Sequence, residues 1–178
     1  MRIIGIDYSY SKSGVAVVDV DEDTGECELV YACLLISLKY LDFIERTSDH
    51  VSDIEKLIKE YKPNLVVKEG AIMGRSSTGI PVLKAHGVLE YKFFINDTPL
   101  EEVHNMSIKA WARKQLIEEE GYTKESIKEL NKKEIVALAI ESYHGYTIEE
   151  IRTPRGRLLD DVADAIAIPI VYYEKNLK

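Results

Sequence analysis

Four acidic residues, spread over three distant parts of the sequence, have the types and spacing to bind divalent metal ions. Asp7 ends the apolar run RIIGID, and Glu69 ends the run NLVVKE. Asp161 and Asp164 lie one helical turn apart at the start of DDVADAIAIPIVYYE. Carboxylates that meet in a partly buried place repel one another and are poorly solvated. A hard cation such as Mg²⁺ removes that conflict, because carboxylate oxygens are its preferred protein ligands.

The elements around these acids predict that they converge. In an open α/β sheet, ligands bind at the edge formed by the carboxyl ends of the strands, where Asp7 and Glu69 are expected. A helix that begins near Asp161 can pack against the same edge. Two Mg²⁺ ions, or Mn²⁺ in their place, about 4 Å apart would stabilise the attacking and leaving oxygens of a phosphodiester displacement.

Each acid also has a simpler explanation. A lone Asp at a strand end is often a turn former, and Asp160 or Asp161 can cap the last helix. Capping does not account for Asp164, which lies inside that helix and precedes AIAIPIVYY. Whether Asp160 replaces or joins Asp161 as a ligand stays open at this point.

The order of elements predicts an α/β fold. The apolar patterns give, in order, strands at 2–7, 14–20 and 26–36, a helix at 41–61, a strand at 64–69, a helix at 80–94, a strand near 100–105, and helices at 107 to about 119, 123 to about 143 and about 158 to the end. Three consecutive strands followed by alternating helices and strands predict a mixed five-stranded sheet, antiparallel at one edge and flanked by helices. The length predicts a single domain, 1–178.

Composition indicates a soluble globular protein. Hydrophobic residues make up 46% of the chain and charged residues 30%, and no apolar run approaches the ~20 residues of a membrane span. The first residues do not resemble a secretory signal, and Cys27 and Cys33 are badly spaced for a disulfide framework. We therefore expect a cytoplasmic protein.

Three segments of the sequence resemble the RuvC family of Holliday-junction resolvases, which are RNase H-like nucleases. They are IIGIDYSYSKSGVAVVD, YKPNLVVKEGAIMGRSSTG and DDVADAIAI, and they occur in the family's order over nearly the whole chain. The resemblance implies an RNase H-like fold, a homodimer with helix 80–94 as a candidate interface, and metal-dependent cleavage of Holliday junctions or other branched DNA. An aromatic residue that members often carry three positions after the Glu is replaced here by Ile72.

The resemblance also assigns site residues. It makes Asp7, Glu69, Asp161 and Asp164 the catalytic metal ligands. The segment SIKAW resembles the stretch that holds a catalytic lysine, which falls on Lys109, and LNKKEIV resembles the stretch with a second one, at Lys133 or, if the register shifts by one residue, at Lys132.

The charge distribution bears on how such a protein holds DNA. The net charge is −8, yet residues 1–62 carry seven Lys and Arg against thirteen Asp and Glu, whereas residues 63–133 carry eleven against ten. We expect a local basic surface around the acids, with the acidic residues 21–23 facing away. Its members are Arg75, Lys84, Lys109, Arg113, Lys114, Lys132, Lys133, Arg152, Arg155 and Arg157. Ordinary solvated helix charges are the alternative.

Three other functions remain possible from the sequence. GIDYSYSKSGVAVVD also suits the first phosphate loop of an actin-like nucleotide-binding protein, but residues 63–178 contain no second Asp-x-Gly phosphate hairpin. A non-enzymatic DNA-binding descendant of the nuclease fold would not need all four acids. A nuclease that acts on a flap, a replication fork or RNA would share the same site.

Overall fold

The computed structural model describes residues 1–71, 79–145 and 147–178. Its strands are β1 Arg2–Asp7, β2 Lys12–Val20, β3 Cys27–Ile36, β4 Leu65–Glu69 and β5 Leu100–Val103. Its α-helices are α1 Phe43–Tyr61, α2 Gly79–Ile95, α3 Asn105–Glu119, α4 Lys124–Glu129, α5 Glu134–His144 and α6 Asp160–Asn176. A short 3₁₀ turn covers Glu149–Ile151.

The strands form one mixed sheet in the order β3-β2-β1-β4-β5. β2 pairs antiparallel with both β1 and β3, whereas β4 pairs parallel with both β1 and β5. The predicted sheet, antiparallel at one edge and parallel further in, is therefore confirmed. Because Ile6 of β1 lies opposite Lys68 of β4, Asp7 and Glu69 come next in both strands and reach the same edge of the sheet.

Helices cover both faces of the sheet. One face packs against α6, α3 and α5, and the other packs against α1 and α2. Side chains alternate between the faces along each strand, so Ile3 and Val67 lie on the α6 side and Ile4 and Val66 on the other. The same alternation directs Asp7 and Glu69 towards α6.

Two glycines allow α6 to lie unusually close to the sheet. A Cβ atom on Gly14 would lie 1.8 Å from the carbonyl oxygen of Asp161, and one on Gly5 would lie 2.2 Å from that of Ala165. Any larger residue would collide with backbone, which cannot move aside cheaply. Ala165 is one helical turn after Asp161. Gly14 of β2 and Gly5 of β1 therefore make room for two successive turns of α6. This close packing places Asp161 and Asp164 beside the strand ends.

One predicted helix is wrong. The segment from 123 to about 143 forms two helices, α4 and α5, rather than one. Leu130 is extended at the end of α4, and the side chain of Asn131 accepts a hydrogen bond from the backbone N–H of Lys133. Asparagine competes with helical hydrogen bonding in this way, and the break brings Lys132 and Lys133 to the start of α5.

None of the helices within the described ranges is long and apolar enough to cross a membrane. Cys27 and Cys33 are both free thiols.

Candidate metal and nucleic-acid site

The four acids converge where β1, β4 and α6 meet. The carboxyl group of Asp7 lies close to that of Glu69, and Asp7 also lies in the field of Asp164 and Asp161. Burial, followed by the charges of Glu69 and Asp164, raises the pKa of Asp7 well above its usual value. Burial and then Glu69 raise the pKa of Asp164 to about 7, and burial and then Asp160 raise that of Asp161. The predicted convergence is present, while the ligand role of these residues stays a prediction.

Three neighbouring polar groups act on the acids. Asn105, the first residue of α3, donates a hydrogen bond from Nδ2 to Glu69 Oε1. The ammonium of Lys109, one turn later in α3, acts to lower the pKa of Asp164, and that of Lys12 acts to lower the pKa of Asp161. Sequence reasoning missed Asn105 and Lys12. The available signal for Asn105 is its position two residues after the end of β5, at the edge where the acids lie.

The donor set suits a hard divalent cation, because it consists of carboxylates without nitrogen or sulfur ligands. Among residues 1–71, 79–145 and 147–178, no three His, Cys, Asp or Glu side chains stand in position to hold a metal ion. A cation bound among Asp7, Glu69, Asp161 and Asp164 would offset the repulsion that raises the pKa of Asp7.

Asp160 and Asp161 occupy different surroundings. The Asp160 carboxylate lies 2.5 Å from Lys133 Nζ and is a third exposed. Asp161 is the one of the two whose charge acts on Asp7, whereas the charge of Asp160 acts on Asp164 and on Asp161. This arrangement favours Asp161 as the fourth acid of the cluster and Asp160 as the partner of Lys133.

A basic pocket of about 420 Å³ opens next to the acids. Its polar lining comes from Lys109, Arg113, Lys132 and Lys133, together with Asp160 and Asp164, and its apolar lining comes from Ile135 and Val136. Both lysines implied by the resemblance, and the alternative Lys132, therefore lie at the acid cluster. Their roles stay predictions.

A second groove continues the basic surface along α3. Arg113 lines both cavities, and in the groove between α3 and α4 it is joined by Lys114, Lys124 and Lys128 around Ile117. Lys124 and Lys128 were absent from the predicted DNA-contact set. The groove also contains Glu118, which pairs with Lys114 at 3.7 Å, so its net positive charge comes from Arg113, Lys124 and Lys128.

The remaining predicted basic residues differ in their surroundings. Arg157 is exposed and its charge reaches Lys133, and Arg155 is exposed with no ion pair among the described residues. Arg152 pairs with Glu141, with Nη2 lying 3.0 Å from Oε2. Lys84 is exposed on α2 and does not line the basic pocket. Arg75, like Ile72, lies outside the described residues.

The acidic turn at 21–23 lies at the far end of β2. Lys12, at the first residue of β2, is near Asp161, whereas the turn follows Val20 at the other end of the strand. The eight steps from the first to the last residue of this strand span about 26 Å at ~3.3 Å per residue. The acidic turn at 21–23 is therefore well separated from the acid cluster.

A mixed sheet with carboxylates at the ends of its first and fourth strands, and two more on a helix laid across them, defines an RNase H-like nuclease fold. No family model matches the chain. A crossover junction endodeoxyribonuclease RuvC from Prochlorococcus marinus is 32% identical over 109 residues, which cover 61% of this chain and 70% of the relative. The RuvC of Xanthomonas euvesicatoria is 26% identical over 172 residues, covering 96% of this chain and 86% of the relative.

The fold has a matching counterpart among solved structures. Thermus thermophilus RuvC in complex with a Holliday junction superposes with a TM-score of 0.72 at 18% identity, covering 98% of this chain and 96% of the other. The chain belongs to the RuvC family.

Proposed function

We propose that this protein is a metal-dependent endonuclease that cleaves Holliday junctions. The observation that carries the proposal is the convergence of Asp7, Glu69, Asp161 and Asp164 beside a basic pocket. The relatives that match most of the chain are named crossover junction endodeoxyribonucleases. Membership of that family supports metal dependence, and the choice of Mg²⁺ or Mn²⁺ and the number of two ions are part of the proposal.

The chain's own residues divide the work of the reaction. The four acids hold the ions, and Asn105 keeps the Glu69 carboxylate in place through its hydrogen bond. Bound there, two ions would supply Lewis-acid activation of a water molecule and neutralise charge on the reacting phosphate. Lys109 and Lys133 hold backbone phosphates or the charge that develops on them. The bond to the 3′ oxygen breaks, which leaves 5′-phosphate and 3′-hydroxyl ends.

An acidic protein can bind DNA through such a site because electrostatic contacts are local. Charges farther apart than a Debye length of about 10 Å are largely screened at ~0.1 M salt. The DNA therefore experiences the cations of the pocket, Lys109, Arg113, Lys132 and Lys133, rather than the net charge. We place the DNA backbone along this pocket and the adjoining groove, with the loop of Arg155 and Arg157 beside Lys133.

A second copy of the chain completes the proposed enzyme. α2 exposes a run of large apolar residues at helical spacing, namely Ile80, Val88, Tyr91, Phe94 and Ile95. Phe94 is 79% exposed and Tyr91 is 64% exposed, and such a face normally marks an interface. A two-fold junction suits a two-fold enzyme, so we assign this face to the homodimer.

The experiment that tests the function compares labelled four-way, three-way, flap and linear DNAs, each with Mg²⁺ and then with EDTA. We expect Mg²⁺-dependent cleavage of the four-way junction at paired positions in opposite strands. Asp7→Asn serves as the control, and it should bind the junction without cutting it. Equal cutting of all substrates, or cutting in EDTA, would reject the proposal, and preference for the flap would redirect it to another branched structure.

A further inference from the structure

A fully buried lysine lies on the reverse side of the sheet from the acids. Lys68 precedes Glu69 in β4, so its side chain points to the opposite face, where it is completely shielded from solvent. Its Nζ lies 3.0 Å from Glu90 Oε1 and 3.3 Å from His86 Nδ1, and it also contacts Glu102 Oε1. These three partners match the three N–H bonds of an ammonium group.

The contacts of Lys68 fix which nitrogen of His86 carries the proton. An ammonium can only donate, so His86 Nδ1 accepts and Nε2 carries the hydrogen. His86 Nε2 lies 3.1 Å from the backbone oxygen of Tyr8 and donates to it, since a carbonyl can only accept. Burial and the charge of Lys68 lower the pKa of His86, which agrees with a neutral ring. Hydrogen bonds thus connect Lys68 to the carbonyl group of Tyr8, the residue that follows Asp7.

The chain of hydrogen bonds from Lys68 through His86 to the Tyr8 carbonyl begins and ends next to the two acids at the strand ends. Lys68 is bonded to Glu69 in the chain, and Tyr8 is bonded to Asp7. β1 ends at Asp7, so the Tyr8 carbonyl obtains its partner from a side chain of α2 instead of from the sheet. The rings of Tyr8 and His86 also meet edge to face at 5.4 Å.

We propose that Lys68 and His86 are positioning residues that set, from the reverse face of the sheet, the spacing between the backbones that carry Asp7 and Glu69. Neither residue touches the substrate or a cation. The inference rests on the proposed function, because it concerns the same cation site.

Stability alone does not explain a buried charge at this position. Apolar residues of similar volume often stabilise a core as well as a buried ion pair does, or better. A displacement of about 1 Å, in contrast, can cost a catalytic site ~100-fold in rate. A fully bonded lysine holds three elements, β4, β5 and α2, in one arrangement, and that precision is what paired carboxylate ligands require.

The test uses Lys68→Met and His86→Leu, with His86→Gln as the conservative variant that keeps an N–H donor for the Tyr8 oxygen. Three quantities are measured, namely Mn²⁺ affinity of the free protein by electron paramagnetic resonance, the Mg²⁺ concentration for half-maximal cleavage, and junction affinity in EDTA. We expect the first two variants to bind metal about tenfold more weakly, as loss of a supporting hydrogen bond typically does. Junction affinity should stay within about twofold, because the basic pocket is intact, and His86→Gln should recover most of the metal affinity.

Arg2→Met is the matched control. It removes the ion pair between Arg2 and Asp19, 2.6 Å apart at the opposite end of β1, and should lower the melting temperature without changing metal affinity. The proposal is overturned if folded Lys68→Met and His86→Leu bind Mn²⁺ like the wild type, if His86→Gln is as impaired as His86→Leu, or if Arg2→Met weakens metal binding equally. A wild type that binds Mn²⁺ at the acids but cuts no junction would reject the proposed function while leaving this inference to be judged by the Mn²⁺ affinities.

Discussion

Asp7 and Glu69 bring their carboxyl groups together at the ends of two parallel strands held in register by the pairing of Ile6 with Lys68. Two carboxylates this close repel each other, so burial and the charge of Glu69 raise the pKa of Asp7 and favour its protonated form. The metal-free cluster is therefore a proton-binding site as well as a candidate cation site. Protons and cations compete for the same oxygens, so the effect of pH on metal binding to the cluster can be measured without DNA.

The first prediction is that the metal-free protein loses stability as pH rises through the titration of Asp164. The pKa of this carboxyl is 3.8 ordinarily and about 7 in the fold, so between these values the native state holds a proton that the unfolded chain has released. The free energy of unfolding then falls with rising pH, by up to about 1.4 kcal/mol per pH unit from this group, and levels off above pH 7. Thermal unfolding from pH 4 to 8 in EDTA, compared with Asp164→Asn, isolates this contribution.

Asp164→Asn should have a flatter profile over the same window. Added Mg²⁺ should raise the melting temperature of the wild type more at pH 8 than at pH 5, since fewer protons compete. Profiles of identical slope for both proteins would mean that Asp164 does not titrate in this range.

A second prediction concerns the seat of α6. Gly14→Ala should lower the free energy of unfolding by about 3 kcal/mol, in the range of overpacking, because its Cβ would strike the Asp161 carbonyl oxygen. Cleavage should fall as Asp161 is displaced.

Gly87→Ala is the control for this prediction. No atom lies within 4 Å of an added Cβ at Gly87, and alanine is more favourable than glycine in a helix by ~0.5–1 kcal/mol. Chemical denaturation is compared at a concentration where light scattering shows a monomer, as Gly87 lies on the face assigned to the dimer. An unchanged Gly14→Ala would show that α6 is not seated as described.

The third prediction is that the exposed face of α2 holds the dimer together. Phe94→Glu should give a monomer at micromolar concentration, because it places a charge in an apolar contact. Light scattering measures the mass. Tyr40→Glu is the control, as Tyr40 is 80% exposed outside α2, and it should leave the dimer intact. If the wild type is a monomer at that concentration, or if both variants behave alike, the assignment of this face fails.

The fourth prediction refines the DNA-contact role of the loop at 152–157. Arg155→Gln with Arg157→Gln should weaken junction binding and reduce the salt slope by about 1 to 2, since each phosphate contact contributes ~0.9. Arg152→Gln should instead lower stability, because Arg152 is engaged with Glu141. Binding is titrated at several salt concentrations, and neutralising Asp21, Glu22 and Asp23 together serves as the control. Wild-type affinity and slope in the double variant would remove the loop from the DNA surface.

The sequence predicted the sheet well because its strands carry strong local signals. Apolar runs that end on acids located β1 and β4, and consecutive strands gave the antiparallel edge. It failed at Leu130–Lys133, where the extended Leu130 and the side-chain hydrogen bond of Asn131 outweigh the helical periodicity of KESIKELNKKEIV. Short polar side chains that bond their own backbone leave little trace in an apolar pattern.

The acidic residues of the candidate site could be predicted from the sequence, but the polar residues that contact them could not. Asp7, Glu69, Asp161 and Asp164 follow from strand ends and helical spacing. Asn105 and Lys12 do not, since their importance comes from which carboxylate they approach in the fold. Lys68 shows the same limit, because a lysine inside VVKEG gives no sign that its ammonium is completely buried.

The central claim is that the four acids bind divalent metal ions, and anomalous diffraction from crystals soaked in Mn²⁺ tests it most directly. We predict Mn²⁺ peaks within bonding distance of oxygens from Asp7, Glu69, Asp161 and Asp164. Crystals of Asp7→Asn should show weaker or absent peaks. The claim is contradicted if, at saturating Mn²⁺, wild-type crystals show no Mn²⁺ at these carboxylates.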